Sequence, residues 1–423
     1  MNYPTIAAFG EALTGFVFYY PLFMAYLWMA GGVFYWFHYE RKANKPGEPP
    51  PLERYPSVAV IVPCRNEEAH ATETIERLMA SKYPDLEVIA VDDGSTDGTG
   101  ALLERLADRF PKLRVIHLLR NQGKATALNT AATMTGAEIL VCIDGDALLD
   151  PWAIHWLVFH FRSPRVGAVT GNPRVRTRST LLGRLQVGEF SSTIGLIKRA
   201  QRTYGRVFTV SGVVSAFRRS ALHDVGYWSP DMLTEDVDVS WKMQTRHWDV
   251  RFEPNALCWI LMPETFRGLW KQRLRWATGG LQVLLKNWRP LQAWQMRRMW
   301  PVFTEYVLSA VWAYAMMGLI LMWLFGTVLG LPTPIEVPTL LPKWTGVVIG
   351  TTCLLQVAIG MMLDSRVEKG LLKYYFWMIW YPLAFWLISV FTTVVSVPKA
   401  LFRSTGKRAR WKSPDRGLMP QDL

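Results

Sequence analysis

The stretches EVIAVDDG (87–94) and EILVCIDGD (138–146) are apolar, β-branched runs that end on aspartates. Such a run predicts a buried strand of a parallel sheet. In open α/β sheets, ligands bind beyond the carboxyl ends of the strands. Asp93, Asp144 and Asp146 are therefore expected at one edge of the sheet. Two acidic strand ends at the same edge indicate a site for a cation and the diphosphate that it bridges.

Strands and helices alternate along the region from 55 to 260. This alternation predicts an α/β domain with a Rossmann-like, mostly parallel sheet that is covered by helices on both faces. The region lacks both G-x-G-x-x-G after its first strand and G-x-x-x-x-G-K-[ST], which disfavours a dinucleotide-binding protein and an ATPase. The predicted strands cover residues 57–64, 87–93, 113–119 and 138–144, and the predicted helices cover 67–81, 99–110 and 124–135.

Apolar segments flank this domain on both sides. Residues 14–37 are long enough to form a transmembrane helix, and about three more transmembrane segments are predicted within 303–397. Arg41 and Lys42 follow the first segment and no Lys or Arg precedes it, so the domain is expected in the cytoplasm. The basic C-terminal tail, 398–423, also indicates the cytoplasm, whereas strict alternation of the spans would place it outside. The number of true spans therefore stays open.

The segment 263–300 is basic and rich in tryptophan, and it is too charged to cross a bilayer. It predicts amphipathic helices that lie along the inner leaflet, the alternative being an ordinary surface helix. The net charge of the chain is +13, a balance that nucleic-acid-binding proteins also show. Because many of the cations flank apolar spans, we expect the lipid bilayer and a phosphate-bearing substrate as partners, and no nucleic acid.

The D-G-D motif of Asp144 and Asp146 is the sharpest short motif in the chain. Carboxylates two residues apart at a strand end can present oxygens to one hard cation. Mg²⁺ or Mn²⁺ would take its remaining ligands from phosphate and water. A lone D-x-D is usually a solvated loop, but its position after a buried strand of this sheet favours a metal site.

Two residues near the other strand ends are candidates for binding the substrate. Asp93 could hold a base or ribose by hydrogen bonds, although the serine and threonine that follow it also suit the cap of a helix. Lys124 could meet a phosphate as a point charge, or it could mark a solvated helix start. Their neighbours lead us to interpret both as substrate-binding residues.

Glu235 and Asp236 form a third acidic site. Sugar transfer to a hydroxyl needs a base, and Asp236 is the candidate; the alternative is a helix N-terminus, where acids are favoured by the dipole. Farther along, QRLRW contains a tryptophan that offers a flat face to a sugar ring, with Arg275 for a diphosphate and Gln272 for an acceptor hydroxyl. The alternative for this motif is a basic interfacial helix.

Six motifs, in their order and spacing, resemble the processive family 2 glycosyltransferases, which include cellulose, chitin and hyaluronan synthases. The agreement of all six makes the resemblance highly specific. It implies a GT-A fold and inversion at the anomeric carbon. The motifs are VIVPCRNEE (60–68), VDDGSTDGT (91–99), NQGKATALNTA (121–131), CIDGDALLD (142–150), LTEDVDVSW (233–241) and QRLRW (272–276).

The resemblance also implies roles for single residues. Asp93 matches an aspartate that contacts uridine, and Asp146, with Asp144, matches the metal site. Asp236 matches the catalytic base, with Glu235 beside it in the substrate site.

The motif QRLRW matches the segment that holds the acceptor end and the diphosphate. Gln272 and Trp276 are its acceptor-binding residues. Arg275 acts on the diphosphate and is counted with the catalytic residues.

Residues 169–202 and 408–417 resemble the branch of this family that polymerises N-acetylglucosamine through β-1,6 linkages for biofilm matrix. This resemblance implies UDP-N-acetylglucosamine as donor, a growing polysaccharide that leaves through a channel of membrane helices, and the bacterial inner membrane as location. It implies a small two-span membrane partner, with cyclic di-GMP at the shared surface. One departure is that a member of this branch carries an additional apolar segment at its N-terminus.

Alternative functions share many of these motifs. A hyaluronan, chitin or cellulose synthase, or a transferase that adds one sugar to a lipid, would have the same donor and base residues. A membrane scaffold with a dead transferase fold is disfavoured because Asp93, Asp146 and Asp236 are all intact. A transporter is disfavoured because about four spans without an internal repeat are too few.

Overall fold

The computed structural model describes residues 3–42, 44, 46–335, 337, 344–403, 406 and 408–410, with side chains from residue 8 onward. The described residues form eight strands and thirteen α-helices. The strands are β1 (Val58–Cys64), β2 (Leu86–Asp92), β3 (Leu113–His117), β4 (Ile139–Ile143), β5 (Leu148–Leu149), β6 (Val166–Val175), β7 (Val214–Arg218) and β8 (Asp249–Ile260). The helices are α1 (Tyr3–Tyr35), α2 (Ala71–Met79), α3 (Thr99–Arg109), α4 (Lys124–Thr133), α5 (Ala153–Phe159), α6 (Leu181–Glu189), α7 (Ile197–Tyr204), α8 (Arg219–Asp224), α9 (Glu235–Thr245), α10 (Phe266–Asn287), α11 (Trp300–Trp323), α12 (Trp344–Asp364) and α13 (Tyr381–Leu401).

All eight strands form one sheet in the order β3-β2-β1-β4-β7-β6-β8-β5. The pairs β3/β2, β2/β1, β1/β4 and β6/β8 are parallel, which confirms the predicted mostly parallel sheet. Strand β7 runs antiparallel to both β4 and β6, and β5 runs antiparallel to β8. The carboxyl ends of β1, β2 and β4 therefore lie at one edge, where the site residues are expected.

The sheet is buried on both faces. In β1, Val58, Val60 and Val62 pack into one apolar layer, and Ala59 and Ile61 pack into the other. A strand covered by helices on both sides needs apolar residues at every position, which explains the unbroken apolar runs in the sequence.

Four helical segments among the described residues are long and apolar enough to cross a membrane. They overlap the segments predicted at 14–37 and within 303–397. Pro382 does not interrupt the last of these segments. It occupies the first turn of α13, where the backbone N–H that proline lacks would form no hydrogen bond within the helix. Of the predicted basic tail, residues 404, 405, 407 and 411–423 lie outside the described part of the chain. The four segments are Ala8–Glu40, Trp294–Val328, Trp344–Asp364 and Leu371–Leu401.

A buried group of charges connects the sheet to the ends of two of these segments. We call Glu40, Arg174, Arg199, Asp364 and Glu368 the junction cluster. Arg174 donates to Asp364 at 2.6 Å and to Glu368 at 2.7 Å. Arg199 donates to Glu40 at 2.6 Å and to Asp364 at 2.9 Å. Strand β6 and helix α7 are thus held by paired charges against α12 and the π-helical turn Trp36–Glu40 that follows α1.

The predicted interfacial segment 263–300 contains α10 followed by short 3₁₀ turns at Pro290–Gln292 and Trp294–Met299. Trp288 is 47% exposed and Trp294 is 68% exposed. Exposed tryptophans just before a membrane-spanning candidate are typical of the head-group level of a bilayer.

Candidate active site

Asp93 organises the loop before α4. Its two carboxylate oxygens accept hydrogen bonds from the backbone amides of Gln122, at 2.7 Å, and Gly123, at 2.9 Å. Burial raises the pKa of Asp93, and these two hydrogen bonds oppose that rise. Gly123 has a φ of 92°, which favours glycine, and an added Cβ would lie 2.1 Å from the carbonyl oxygen of Ala409. Asp93 therefore positions the loop that carries Lys124, and its contact with uridine stays a prediction.

Lys124 brings two of the predicted acidic sites together. Its ammonium donates to the Asp144 carboxylate and to the carbonyl oxygen of Gly212, the latter at 2.9 Å, and lies 3.6 Å from Glu235 Oε1. Burial alone would lower the pKa of Lys124, but Asp144 and Glu235 raise it well above its usual value. The lysine therefore stays charged in the middle of the site.

The D-G-D motif directly follows β4, as predicted. Gly145 is closely packed, since an added Cβ would lie 3.1 Å from the Cys64 sulfur and 3.2 Å from the Pro63 carbonyl oxygen. Among the described residues, no group of three or more His, Cys, Asp or Glu could hold a metal ion. Asp144 and Asp146 are both partly exposed and provide oxygen ligands. This donor set fits a cation such as Mg²⁺, which commonly uses one or two carboxylates together with substrate phosphates and water.

Asp236 lies in the first turn of α9 and is held by two amides. Its Oδ2 accepts from Gly212 N at 3.1 Å, and its Oδ1 accepts from Val237 N at 2.9 Å. Neighbouring Glu235 is buried, which raises its pKa, and Lys124 opposes this rise. Thr234 makes no cap hydrogen bond to the helix, and its Oγ1 is buried without a partner among the described residues. The acids therefore sit at a helix N-terminus and beside Lys124 at the same time.

Lys198 lies near Asp236 and was not predicted from the sequence as a site residue. Its side chain is 6% exposed, and its ammonium donates to Thr170 Oγ1 at 3.1 Å. Burial lowers the pKa of Lys198 to about 7, although the charge of Asp236 opposes this shift. Thr170 also accepts from the amide of Ser211, one residue before the glycine that binds Asp236. A lysine inside an apolar stretch is a weak sequence signal, because most such lysines extend to solvent.

The QRLRW motif lies in α10, where Gln272, Arg275 and Trp276 share one face because they are spaced three and four residues apart. Arg275 is exposed and donates to the carbonyl oxygen of Leu233 at 3.3 Å, close to the acidic site. One turn earlier, Gln272 Oε1 is buried without a partner among the described residues. Arg273 stacks on the ring of Trp276, with 4.4 Å between the guanidinium carbon and the ring centroid. The unpartnered amide oxygen of Gln272 is an acceptor that suits a sugar hydroxyl.

Comparison with known proteins shows the family of the chain. Residues 56–279 match the model of the "Glycosyltransferase like family 2". Over 407 residues the chain is 34% identical to a protein of Staphylococcus epidermidis named poly-β-1,6-N-acetyl-D-glucosamine synthase, covering 95% of this chain and 98% of the relative. A protein of the same name from Staphylococcus aureus is 36% identical over 408 residues, with the same coverage.

A similar solved structure is that of a mannosyltransferase from Pyrobaculum calidifontis in complex with GDP-Man and Mn²⁺. It has a TM-score of 0.63 and 21% sequence identity, and the match covers 94% of this chain and 99% of the other. This likeness, together with the curled, mostly parallel sheet, establishes the GT-A glycosyltransferase fold. The family model covers more than half of the chain, and the relatives match nearly its whole length. The chain therefore belongs to the glycosyltransferase family 2.

Proposed function

We propose that the chain is a processive, inverting glycosyltransferase that polymerises N-acetylglucosamine from UDP-N-acetylglucosamine into poly-β-1,6-N-acetyl-D-glucosamine. The observation that carries this proposal is the meeting of Lys124, Asp144 and Glu235 at one sheet edge, with Asp236 alongside. The names of the relatives support the choice of sugar and linkage.

The proposed reaction assigns a step to each of the charged residues. The attacking hydroxyl of the acceptor passes its proton to Asp236 as its oxygen bonds to the anomeric carbon of the donor. The bond from that carbon to the diphosphate breaks on the opposite side, so the configuration inverts and UDP leaves. Lys124 and Arg275 supply positive charge to the diphosphate. A divalent cation held by Asp144 and Asp146 would neutralise the same group.

The acceptor end is proposed to rest on α10. The free amide oxygen of Gln272 would receive a hydrogen bond from a sugar hydroxyl, and Trp276 would pack against a sugar ring. The spanning candidates, two of which pack on α10 through α11 and α13, would guide the polymer outward across the bacterial inner membrane, with the catalytic domain in the cytoplasm. A small two-span partner and cyclic di-GMP at its shared surface belong to the same proposal, and they rest on the resemblance alone.

The decisive experiment measures UDP release by membranes that contain the chain. The donors are UDP-N-acetylglucosamine, UDP-glucose and UDP-glucuronate, each with and without Mg²⁺, the small partner and cyclic di-GMP. We expect turnover of UDP-N-acetylglucosamine and a product that a β-1,6-N-acetylglucosaminidase digests. D236N serves as the inactive variant, and D108N, which changes an exposed carboxylate on α3, serves as its matched control.

Other outcomes separate the alternatives. Preference for another donor, or a product that resists the enzyme, would retain the family and refute the proposed substrate or linkage. Equal polymer synthesis by D236N and D108N would refute the base assignment. A lack of UDP release from every donor, even with the partner present, would favour the non-catalytic scaffold.

A further inference from the structure

A cleft of about 670 Å³ lies away from the candidate active site. It opens at the amino ends of β6 and β8, because Arg165 directly precedes β6 and Asp249 begins β8. Strand β6 runs in the same direction as β4, since each is antiparallel to β7 between them. The cleft therefore occupies the edge of the sheet opposite to Asp144. We name it the arginine cleft after the residues Arg165, Arg202, Arg206, Arg251, Arg297 and Arg298 in its lining.

The charge of the arginine cleft is poorly compensated. Asp249 is the one carboxylate in its lining and pairs with Arg202 at 2.8 Å, Arg206 at 3.3 Å and Arg251 at 2.8 Å. With six arginines against one carboxylate, the formal charge of the lining is +5. Burial lowers the pKa of Arg206, and the other arginines lower it further.

Three of the arginines have no acidic partner among the described residues. Arg297 stacks on Trp294, with 5.3 Å between its guanidinium carbon and the ring centroid. The guanidinium groups of Arg165 and Arg298 make no hydrogen bond in the described structure. Their donors are therefore available to a ligand. Because a guanidinium presents parallel N–H groups, it suits the oxygens of a phosphate.

One wall of the arginine cleft is next to the predicted membrane surface. Arg297 and Arg298 belong to the 3₁₀ turn Trp294–Met299, which forms the first residues of the spanning candidate Trp294–Val328 and leads directly into α11. Trp294 is 68% exposed and Trp300 is 37% exposed. Tryptophan at this position is typical of the head-group level of a bilayer, where arginine attracts anionic lipids.

We propose that the arginine cleft binds a phosphodiester anion, supplied by the head group of an anionic phospholipid. The uncompensated arginines provide the recognition, and the adjacent tryptophans place the site at the depth of lipid phosphates. A soluble phosphodiester would present the same chemistry from the cytoplasmic side. The site is independent of the proposed sugar-transfer reaction, since it shares no charged residue with it.

Binding to the purified full-length chain in a neutral detergent tests this proposal without an activity assay. Thermal unfolding would be followed during titration with dioctanoyl phosphatidylglycerol, dioctanoyl phosphatidylcholine, cyclic di-GMP or inorganic phosphate. We expect phosphatidylglycerol to raise the unfolding temperature and phosphatidylcholine to leave it unchanged.

R165Q/R298Q should weaken the apparent affinity at least about tenfold, because each arginine contributes to anion binding. The double variant R105Q/K112Q removes two exposed charges around α3 and should bind like the wild type.

The other outcomes are equally specific. A shift by cyclic di-GMP alone, lost in R165Q/R298Q, would keep the phosphodiester site and assign it to a soluble ligand. Equal shifts by both lipids, or equal affinity of the wild type and R165Q/R298Q, would overturn the proposal. If R165Q/R298Q does not fold, R297Q provides the same test, because the guanidinium of Arg297 is exposed and stacks on the exposed Trp294.

Discussion

The junction cluster and the active-site carboxylates are both groups of ionisable residues, yet they are compensated differently. In the junction cluster every side chain is at most 5% exposed, and Asp364 contacts both Arg174 and Arg199. In the active site, the ammonium of Lys124 is shared between Asp144 and Glu235, and its side chain is 18% exposed.

The difference has a physical meaning. A buried charge needs a close partner of opposite sign, and removing that partner leaves a large desolvation cost. The two arginines of the junction cluster pair with its three carboxylates, and Arg178, outside the cluster, donates to Glu368 at 2.6 Å and balances the third one. The cluster is therefore suited to hold the catalytic domain on the membrane helices. The active site keeps carboxylates partly exposed to solvent, where a cation and a diphosphate can bind. Incomplete compensation at an accessible edge thus indicates a binding site, and complete compensation in the interior indicates a structural role.

The largest expected effect is that of D236N on polymer synthesis. Loss of a general base lowers turnover by about 100- to 10,000-fold. Since both oxygens of Asp236 accept hydrogen bonds from amides, the asparagine should preserve the fold at some cost in local geometry. The initial rate of UDP release measures the loss of turnover, and the unfolding temperature measures the effect of the substitution on the fold. If D236N lost activity only because it unfolded, the result would not distinguish a catalytic base from a structural residue. An unchanged unfolding temperature is therefore part of the expected result.

D364A tests the junction cluster. It leaves Arg174 and Arg199 buried without this shared carboxylate, and we expect a loss of about 3–5 kcal/mol in the free energy of unfolding. Denaturant unfolding in detergent measures this loss of free energy. The control is E73Q, which breaks a half-exposed pair with Arg176 and should cost at most about 1 kcal/mol. Equal effects of the two variants would refute the structural role of the cluster.

K124Q removes the cation at the centre of the active site. Hydrogen bonds from a charged donor contribute about 1.5–3 kcal/mol, so kcat/KM for the nucleotide sugar should fall about 10- to 100-fold. Steady-state kinetics with varied donor concentration measure this change. K82Q, at an exposed lysine, should behave like the wild type. A similar decrease in both variants would exclude a specific role for Lys124.

The smallest expected effect concerns His117, which lies beside Asp92 at the end of β3. The hydrogen bonds that His117 donates to Glu104, at 2.6 Å, and to Asp92, at 3.2 Å, raise the pKa of His117 above its usual 6.5. Because the pKa of His117 is higher in the folded chain than in the unfolded chain, protonated His117 stabilises the fold. This stabilisation is complete below pH 6.5 and is lost as the pH rises through the raised pKa.

Because the His117 side chain is 44% exposed, its contribution should stay below about 1 kcal/mol. Unfolding temperatures between pH 5 and pH 8 would show this small loss in the wild type and not in H117Q. H223Q, at an exposed histidine on α8, is the matched control. The same pH profile in wild type and H117Q would exclude this contribution.

Local sequence patterns predicted the parallel strands β1 to β4 because β1 and β4 are continuous apolar runs and β2 and β3 are largely apolar. They also placed Asp93, Asp144 and Asp146 at strand ends, since the handedness of strand–helix–strand units fixes which edge those ends share. The antiparallel strand β7 was not predicted, because its insertion between β4 and β6 depends on pairings far apart in the sequence.

The contacts of the junction cluster could not be predicted from the sequence. Glu40, Arg199 and Asp364 look like ordinary charges near apolar segments, and only folding brings them within hydrogen-bonding distance. The arginine cleft likewise collects residues from β8, α7 and the turn before α11.

Motif order, hydrophobic runs and strand-end acids are local patterns, so the family, the α/β fold and the apolar segments could be recognised from the amino-acid sequence. Only the folded chain shows that Lys124 contacts Asp144 and Glu235, that the buried Lys198 donates to Thr170, and that charges from distant segments pair in the interior. Contacts of this kind depend on distances in space between residues far apart in the chain, and no local pattern encodes such a distance.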